Sequence, residues 1–137
     1  MKIVGFGLTS ISGERKEGNG EKLTLNQNIE IMGISKEKVP ISSEEVLNLK
    51  FLFSIKYSGD LGKVEIGGSV LIIPDKDESK EFQKAIKEKS IPEKAKPILF
   101  NFIMTKCNIK ALSLEDDLNL PYHVALPKLT INKDKID

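Results

Sequence analysis

The sequence predicts an α+β domain, a four-stranded antiparallel sheet followed by C-terminal helices packed on one of its sides. Three observations carry that expectation. Alternation with a period of two runs through the first three-fifths of the chain and is clearest from Leu47 to Tyr57; the pattern turns helical past Pro74; and Pro97 to Leu120 reads as one long helix, apolar on more than one side. A chain of 137 residues is long enough for one domain with a real core, divided here into sheet (1–74), helices (77–120) and an extended tail (121–131).

The strands follow in order. Val4, Phe6 and Leu8 mark the first, and Leu23, Leu25, Ile29 and Ile31 the second. In the third, Leu47, Leu49, Phe51, Phe53, Ile55 and Tyr57 point one way while Asn48, Lys50, Ser54 and Lys56 point the other. Ser58 to Gly62 supplies a turn, and Val64, Ile66, Gly68, Val70 and Ile72 resume the alternation, so the third and fourth strands make a long hairpin within a meander or Greek key. Gly67-Gly68 inside the fourth strand reads as a bulge or bend rather than a ligand site, and Ser12 to Glu21, with three glycines among charged residues, as an exposed turn.

Asp77 is placed to cap a first helix with an acidic first turn and a thin inner face of Phe82, Ala85 and Ile86. Ser90-Ile91-Pro92 interrupts it, and the long helix begins at Pro92 or near Pro97, where a proline is tolerated. One stripe of that helix carries Phe100, Ile103, Met104, Cys107, Ala111, Leu114 and Leu118; a second, nearly opposite, carries Ile98, Phe102, Ile109 and Leu112. Asn101, Lys106, Asn108, Lys110 and Glu115 fill the polar arcs between them. Two apolar stripes need two burial surfaces, and in a chain this small the second is expected to be another subunit, with Phe100, Met104, Cys107 and Ala111 at the oligomer interface. Pro121 stops the helix, and Leu120, Tyr122, Val124 and Leu126 are too apolar for a free terminus, so the tail is expected to pack over the sheet or rim a groove.

Composition narrows the function. Twenty-one Lys and Arg against 20 Asp and Glu leave a formal charge of +1, so no global field favours nucleic acid, an acidic substrate or a membrane surface. The lysines between Lys80 and Lys96 are interleaved with Glu78, Glu81, Glu88 and Glu93 and have no aromatic platform, which makes them a solvated face rather than a nucleic-acid site. The apolar runs are too short to span a bilayer, Met1-Lys2-Ile3 opens directly into a strand pattern without a secretory signal, and the single Cys107 fits a reducing cytoplasm, the expected location.

Catalytic chemistry finds little support. His123 is the only histidine and lacks a nearby nucleophile and carboxylate, so a hydrogen-bonded side chain in an ordered tail is the simpler reading. Cys107, on the apolar stripe, reads as a small core residue. Asp75 to Ser79 opens like a calcium loop, but Lys80 and Ile86 stand where that loop needs glycine and glutamate; Gly5-Phe6-Gly7 lacks the third glycine and the helix of a phosphate cradle. No enzyme, no cofactor and no metal site are expected.

Taken together, four strands with a Gly-Gly step in the fourth, an irregular connection, a long helix opening Pro97-Ile98-Leu99-Phe100, the mid-helix Cys107 and the exit Leu118-Asn119-Leu120-Pro121 resemble the SecB family of export chaperones. The segment KCNIKALSLEDDLNLPYHVALPKL, residues 106–129, resembles the ending of SecB-like proteins found in archaea. The resemblance implies sheets paired into dimers, long helices packed between dimers in a homotetramer, and apolar grooves that hold non-native polypeptide. Bacterial SecB is markedly acidic and meets the translocase motor through acidic sheet residues; here only Glu65 carries over, and Asn132 to Asp137 does not match the motor-binding tail, so motor docking is not expected.

The functional expectation is a nucleotide-independent molecular chaperone of the cytoplasm, linked to protein transport through the family, that binds extended apolar segments at Phe102, Leu120, Tyr122 and Leu126. Its alternatives are a structural or regulatory homo-oligomer of the same fold and, last, a small-ligand protein or enzyme built around the His123 tail.

Overall fold

The computed structural model describes residues 1–17, 23–38 and 44–129. Four strands and two helices occur in the order β1 (Lys2–Arg15), β2 (Leu25–Glu37), β3 (Val46–Tyr57), β4 (Gly62–Ile73), α1 (Ser79–Glu88) and α2 (Lys96–Asp117). The strands form one antiparallel sheet in the order β1-β4-β3-β2, so β2, β3 and β4 are successive hairpin partners and β1 lies beside β4 at the opposite edge. This is the Greek-key alternative, not the meander.

One face of the sheet is buried because its side chains alternate. Leu47, Leu49, Phe51, Phe53, Ile55 and Tyr57 on β3 and Val64, Ile66, Val70 and Ile72 on β4 join Phe82, Ala85, Ile91, Ala95, Leu99, Ile103, Cys107 and Ala111 from the helical half in a single core. The two central strands thus carry the core, and α2 lies across them.

Several boundaries differ from the expected ones. β1 runs on to Arg15, with Ser12 opposite Glu65 and Arg15 opposite Gly62, so the first half of the expected turn from Ser12 is strand. Lys16 and Glu17 follow it outside the strand, and residues 18–21 of the expected turn lie outside the described residues, as does the tail beyond Leu129. The irregularity expected at Gly67-Gly68 is real but sits on the partner strand: Leu8 pairs with Gly68 and Ser10 with Gly67, leaving Thr9 as the extra residue. Gly68 is required for contact, since a Cβ there would strike the Gly7 carbonyl and come within 2.9 Å of the Phe51 ring. Glu78, not Asp77, is the residue before α1, and no side chain caps that helix. Its carboxylate instead accepts hydrogen bonds from the Met1 amino group at 2.8 Å and from the Asp75 N–H at 3.2 Å.

The long helix buries Leu99, Ile103, Cys107, Ala111 and Glu115, a straight row at steps of four. Phe100, Met104, Leu114 and Leu118 flank that row and pack against the core with part of their surface open. On the far side Ile98 and Ile109 are 59% and 73% exposed. No described helix is long and apolar enough to cross a membrane.

Candidate functional site

Two features of the margin between sheet and helices stand out: an open groove beside β2 and an anchored tail. The groove has a volume of about 680 Å³ and is lined by Asn28 to Ile31 of β2, Lys89 to Ile91 at the helix junction, and Lys96 and Phe100 of α2. Its origin is local. Lys89 takes a left-handed backbone conformation that ends α1, and α2 begins at Lys96 with Pro97 in its first turn, so Lys89 to Ile91 form the junction between the two helices. Ile29 and Ile31 face the core side from an edge strand, so they are only half-covered, and Phe100 of α2 lines the same groove. The groove therefore combines apolar side chains with the backbone of a sheet edge, and Lys89 and Lys96 are also in its lining.

At the other margin Phe6 of β1 stacks on Phe51 with ring centroids 5.8 Å apart and meets Phe102 edge-on at 5.6 Å. The Lys106 ammonium sits 5.8 Å from the centre of the Phe102 ring. Phe102 is thus half-buried in an aromatic cluster over β1 and is not part of the groove beside β2.

The tail is built from the end of α2. Asn119 adopts a left-handed conformation and reverses the chain, the Leu120 N–H donates to the Glu115 carbonyl at 2.9 Å, and Arg15 donates to the carbonyl of Asn119. Leu120 is buried against Gly62, where a Cβ would lie 2.6 Å from the Glu14 carbonyl and 2.9 Å from the Leu120 side chain, so only glycine fits. Tyr57 donates its hydroxyl proton to the Pro121 carbonyl, and Tyr122 donates to Asp116 at 2.6 Å. Burial, and then the Glu115 carboxylate nearby, pushes the Tyr57 phenol well above its ordinary range, so it stays a donor.

His123 completes the seat. Its Nδ1 lies 2.8 Å from Glu115 Oε2 and 2.9 Å from Oε1, its backbone N–H donates to Oε1 at 3.0 Å, and its Nε2 is 2.8 Å from Asn108 Oδ1. The imidazole and the carboxylate side chains are both fully buried, and the ring meets Phe53 edge-on at 6.1 Å. The expected hydrogen-bonded histidine in an ordered tail is what the structure contains, but Glu115, expected in a polar arc, is the buried partner. No nucleophile stands in this cluster, and among the described residues no group of three His, Cys, Asp or Glu could hold a metal ion.

The expected site residues separate. Tyr122 and Leu126 are 42% and 47% exposed on the tail, whereas Leu120 belongs to the core and offers almost no surface. Phe100 and Met104 keep part of their surface, but Cys107 and Ala111 are fully buried against the sheet of their own protomer and cannot touch a second subunit. The physical reason is the row spacing: the central strands claim the Leu99-Ile103-Cys107-Ala111 line, leaving Ile98 and Ile109 as the exposed apolar side. Ile29, Ile31 and Ile91, which line the groove, read in the sequence as ordinary strand or loop residues; the signal for them is that β2, more polar than β3, belongs at an edge.

No family model and no curated protein sequence matches the chain. Among solved structures it is similar to the Mycobacterium tuberculosis Rv1957 SecB-like chaperone in complex with a ChAD peptide from the Rv1956 HigA1 antitoxin. That likeness spans 94% of this chain and 89% of the other with a TM-score of 0.55 at 12% identity, which speaks for the fold. The four-stranded antiparallel sheet with its two helices is an α+β arrangement that matches the SecB-like fold of that neighbour.

Proposed function

We propose that this protein is a SecB-like holdase, of the archaeal type that its residues 106–129 resemble, and that it binds extended apolar segments of non-native polypeptides without nucleotide. The observation that carries the reading is the groove of about 680 Å³ beside β2, where Ile29, Ile31, Ile91 and Phe100 lie next to the backbone of an edge strand. An unfolded chain offers what such a groove takes, namely apolar side chains in any order and unpaired backbone donors and acceptors. The fold is one that a peptide-bound chaperone shares.

The expected homo-oligomer, a dimer or dimer of dimers, belongs to the same proposal and draws on Ile98 and Ile109, apolar residues on the outer side of α2. Those two residues also favour the second reading, an oligomer of this fold without clients. A cytoplasmic location and a link to protein export complete the proposal, without a translocase motor as partner. The test is suppression of aggregation. At stoichiometric amounts and without nucleotide the protein should keep an unrelated, chemically unfolded protein in solution; failure to do so, with the oligomer intact, selects the second reading.

A further inference from the structure

The tail turns back on its own helix. From Asn119 the chain reverses, and its contacts step along α2 from Asp116 (with Tyr122) to Glu115 and then Asn108 (both with His123), that is, toward the Phe100 end of the helix. Along the way it lies over the apolar face of β3, Pro121 at Tyr57 and His123 at Phe53. The strand partner of Phe53 on β2 is Ile29, which lines the groove. The covered stretch of sheet and the open groove are therefore neighbours on one apolar surface.

The tail is held there by a polar set. Burying a carboxylate and an imidazole is costly unless each is fully partnered, and an apolar pair would pack the same space without that demand. Here both ring nitrogens, both carboxylate oxygens and the backbone N–H of His123 are engaged in one arrangement. Such an anchor is specific when closed and, once one partner is lost, leaves the others unpaired. Beyond it the chain is Val124-Ala125-Leu126-Pro127-Lys128-Leu129, with Val124 half-buried and the rest exposed, so the attachment ends at this point.

We propose that Glu115, His123 and Asn108 form a latch that holds residues 120–124 as a cover over Phe53 and Tyr57, and that releasing it extends the groove beside β2 onto that part of the sheet. The inference rests on the polypeptide-binding reading. In it the tail is an inhibitory strap: the resting protein offers the β2 groove, and tail release enlarges the surface offered to a client.

The test uses the full chain and two variants, His123→Ala and the milder Asn108→Ala, which removes only the partner of Nε2. Amide hydrogen exchange of residues 120–124 reports the latch, and fluorescence anisotropy with a labelled 16-residue peptide of alternating leucine and serine reports the surface. The expected result is exchange at least tenfold faster in His123→Ala and severalfold faster in Asn108→Ala, with peptide affinity raised about fivefold or more in step and strand amides still protected. Unchanged exchange in a folded Asn108→Ala overturns the latch. Faster exchange with unchanged or weaker peptide binding overturns the cover and makes the tail a wall of the groove, leaving the binding reading intact. No saturable binding by wild type or either variant overturns the binding reading and the cover with it.

Discussion

His123 Nδ1 and Glu115 Oε2 lie 2.8 Å apart with both side chains fully buried, which ties the tail to the last turns of α2. Removing one partner strands the other. His123→Leu or Glu115→Leu should each lower stability by about 3–5 kcal/mol, whereas the two changes together should cost less than either alone. Urea unfolding of the four proteins measures the coupling; additive costs would mean that the pair does not interact.

Charge on α2 should have opposite consequences on its two sides. Ala111→Arg forces a guanidinium into the sheet–helix core and should unfold the protomer, while Ile109→Glu, at a position 73% exposed, should leave the circular dichroism unchanged and shift the light-scattering mass toward the protomer. An Ile109→Glu protein with the wild-type mass places the subunit contacts elsewhere.

Glycine substitutions should grade by the space around them. Gly62→Ala, where a Cβ meets the Glu14 carbonyl at 2.6 Å and Leu120 at 2.9 Å, should lower stability by about 1–3 kcal/mol. Gly33→Ala, with nothing within 4 Å, should change it by less than about 0.5 kcal/mol. Thermal unfolding of both variants reads the difference, and equal shifts would count against the close seat of Leu120 on Gly62.

Burial pushes the Cys107 thiol up from 9.0 to about 11. The sign follows: the unfolded chain gives up this proton first, so the contribution is fully present below about pH 9 and is lost as pH rises through about 11. Tyr57, raised as well, acts in the same direction. Unfolding free energy should therefore fall above pH 9, by about 2 kcal/mol from Cys107 alone, and a thiol reagent at pH 8 should modify the native protein only as fast as it opens. Rapid modification would place Cys107 outside the core.

The sheet was legible because β3 and β4 alternate without a break, and α2 because its apolar residues recur at helical spacing between two prolines. The far end of β1 was not. Ser10 to Arg15 are paired through their backbones at a sheet edge and are exposed, so burial left no pattern in their side chains. The groove and the latch were hidden for a different reason, since both join residues that only the topology brings together. Ile29 and Phe100 line one groove across the β2 edge, and Glu115 meets His123 because Asn119 turns the chain back. One signal was present: Glu115 continues the Leu99-Ile103-Cys107-Ala111 row by another step of four, which put it in line for burial, and the sole histidine eight residues later was the available partner.

Whether extended apolar polypeptide is held beside β2 is decided by nuclear magnetic resonance of the labelled protein titrated with the alternating leucine–serine peptide. Saturable shifts are expected at Ile29, Ile31, Ile91 and Phe100 together with slower hydrogen exchange of β2 amides in the complex. Saturable shifts confined to other surfaces, or none at millimolar peptide, would contradict it.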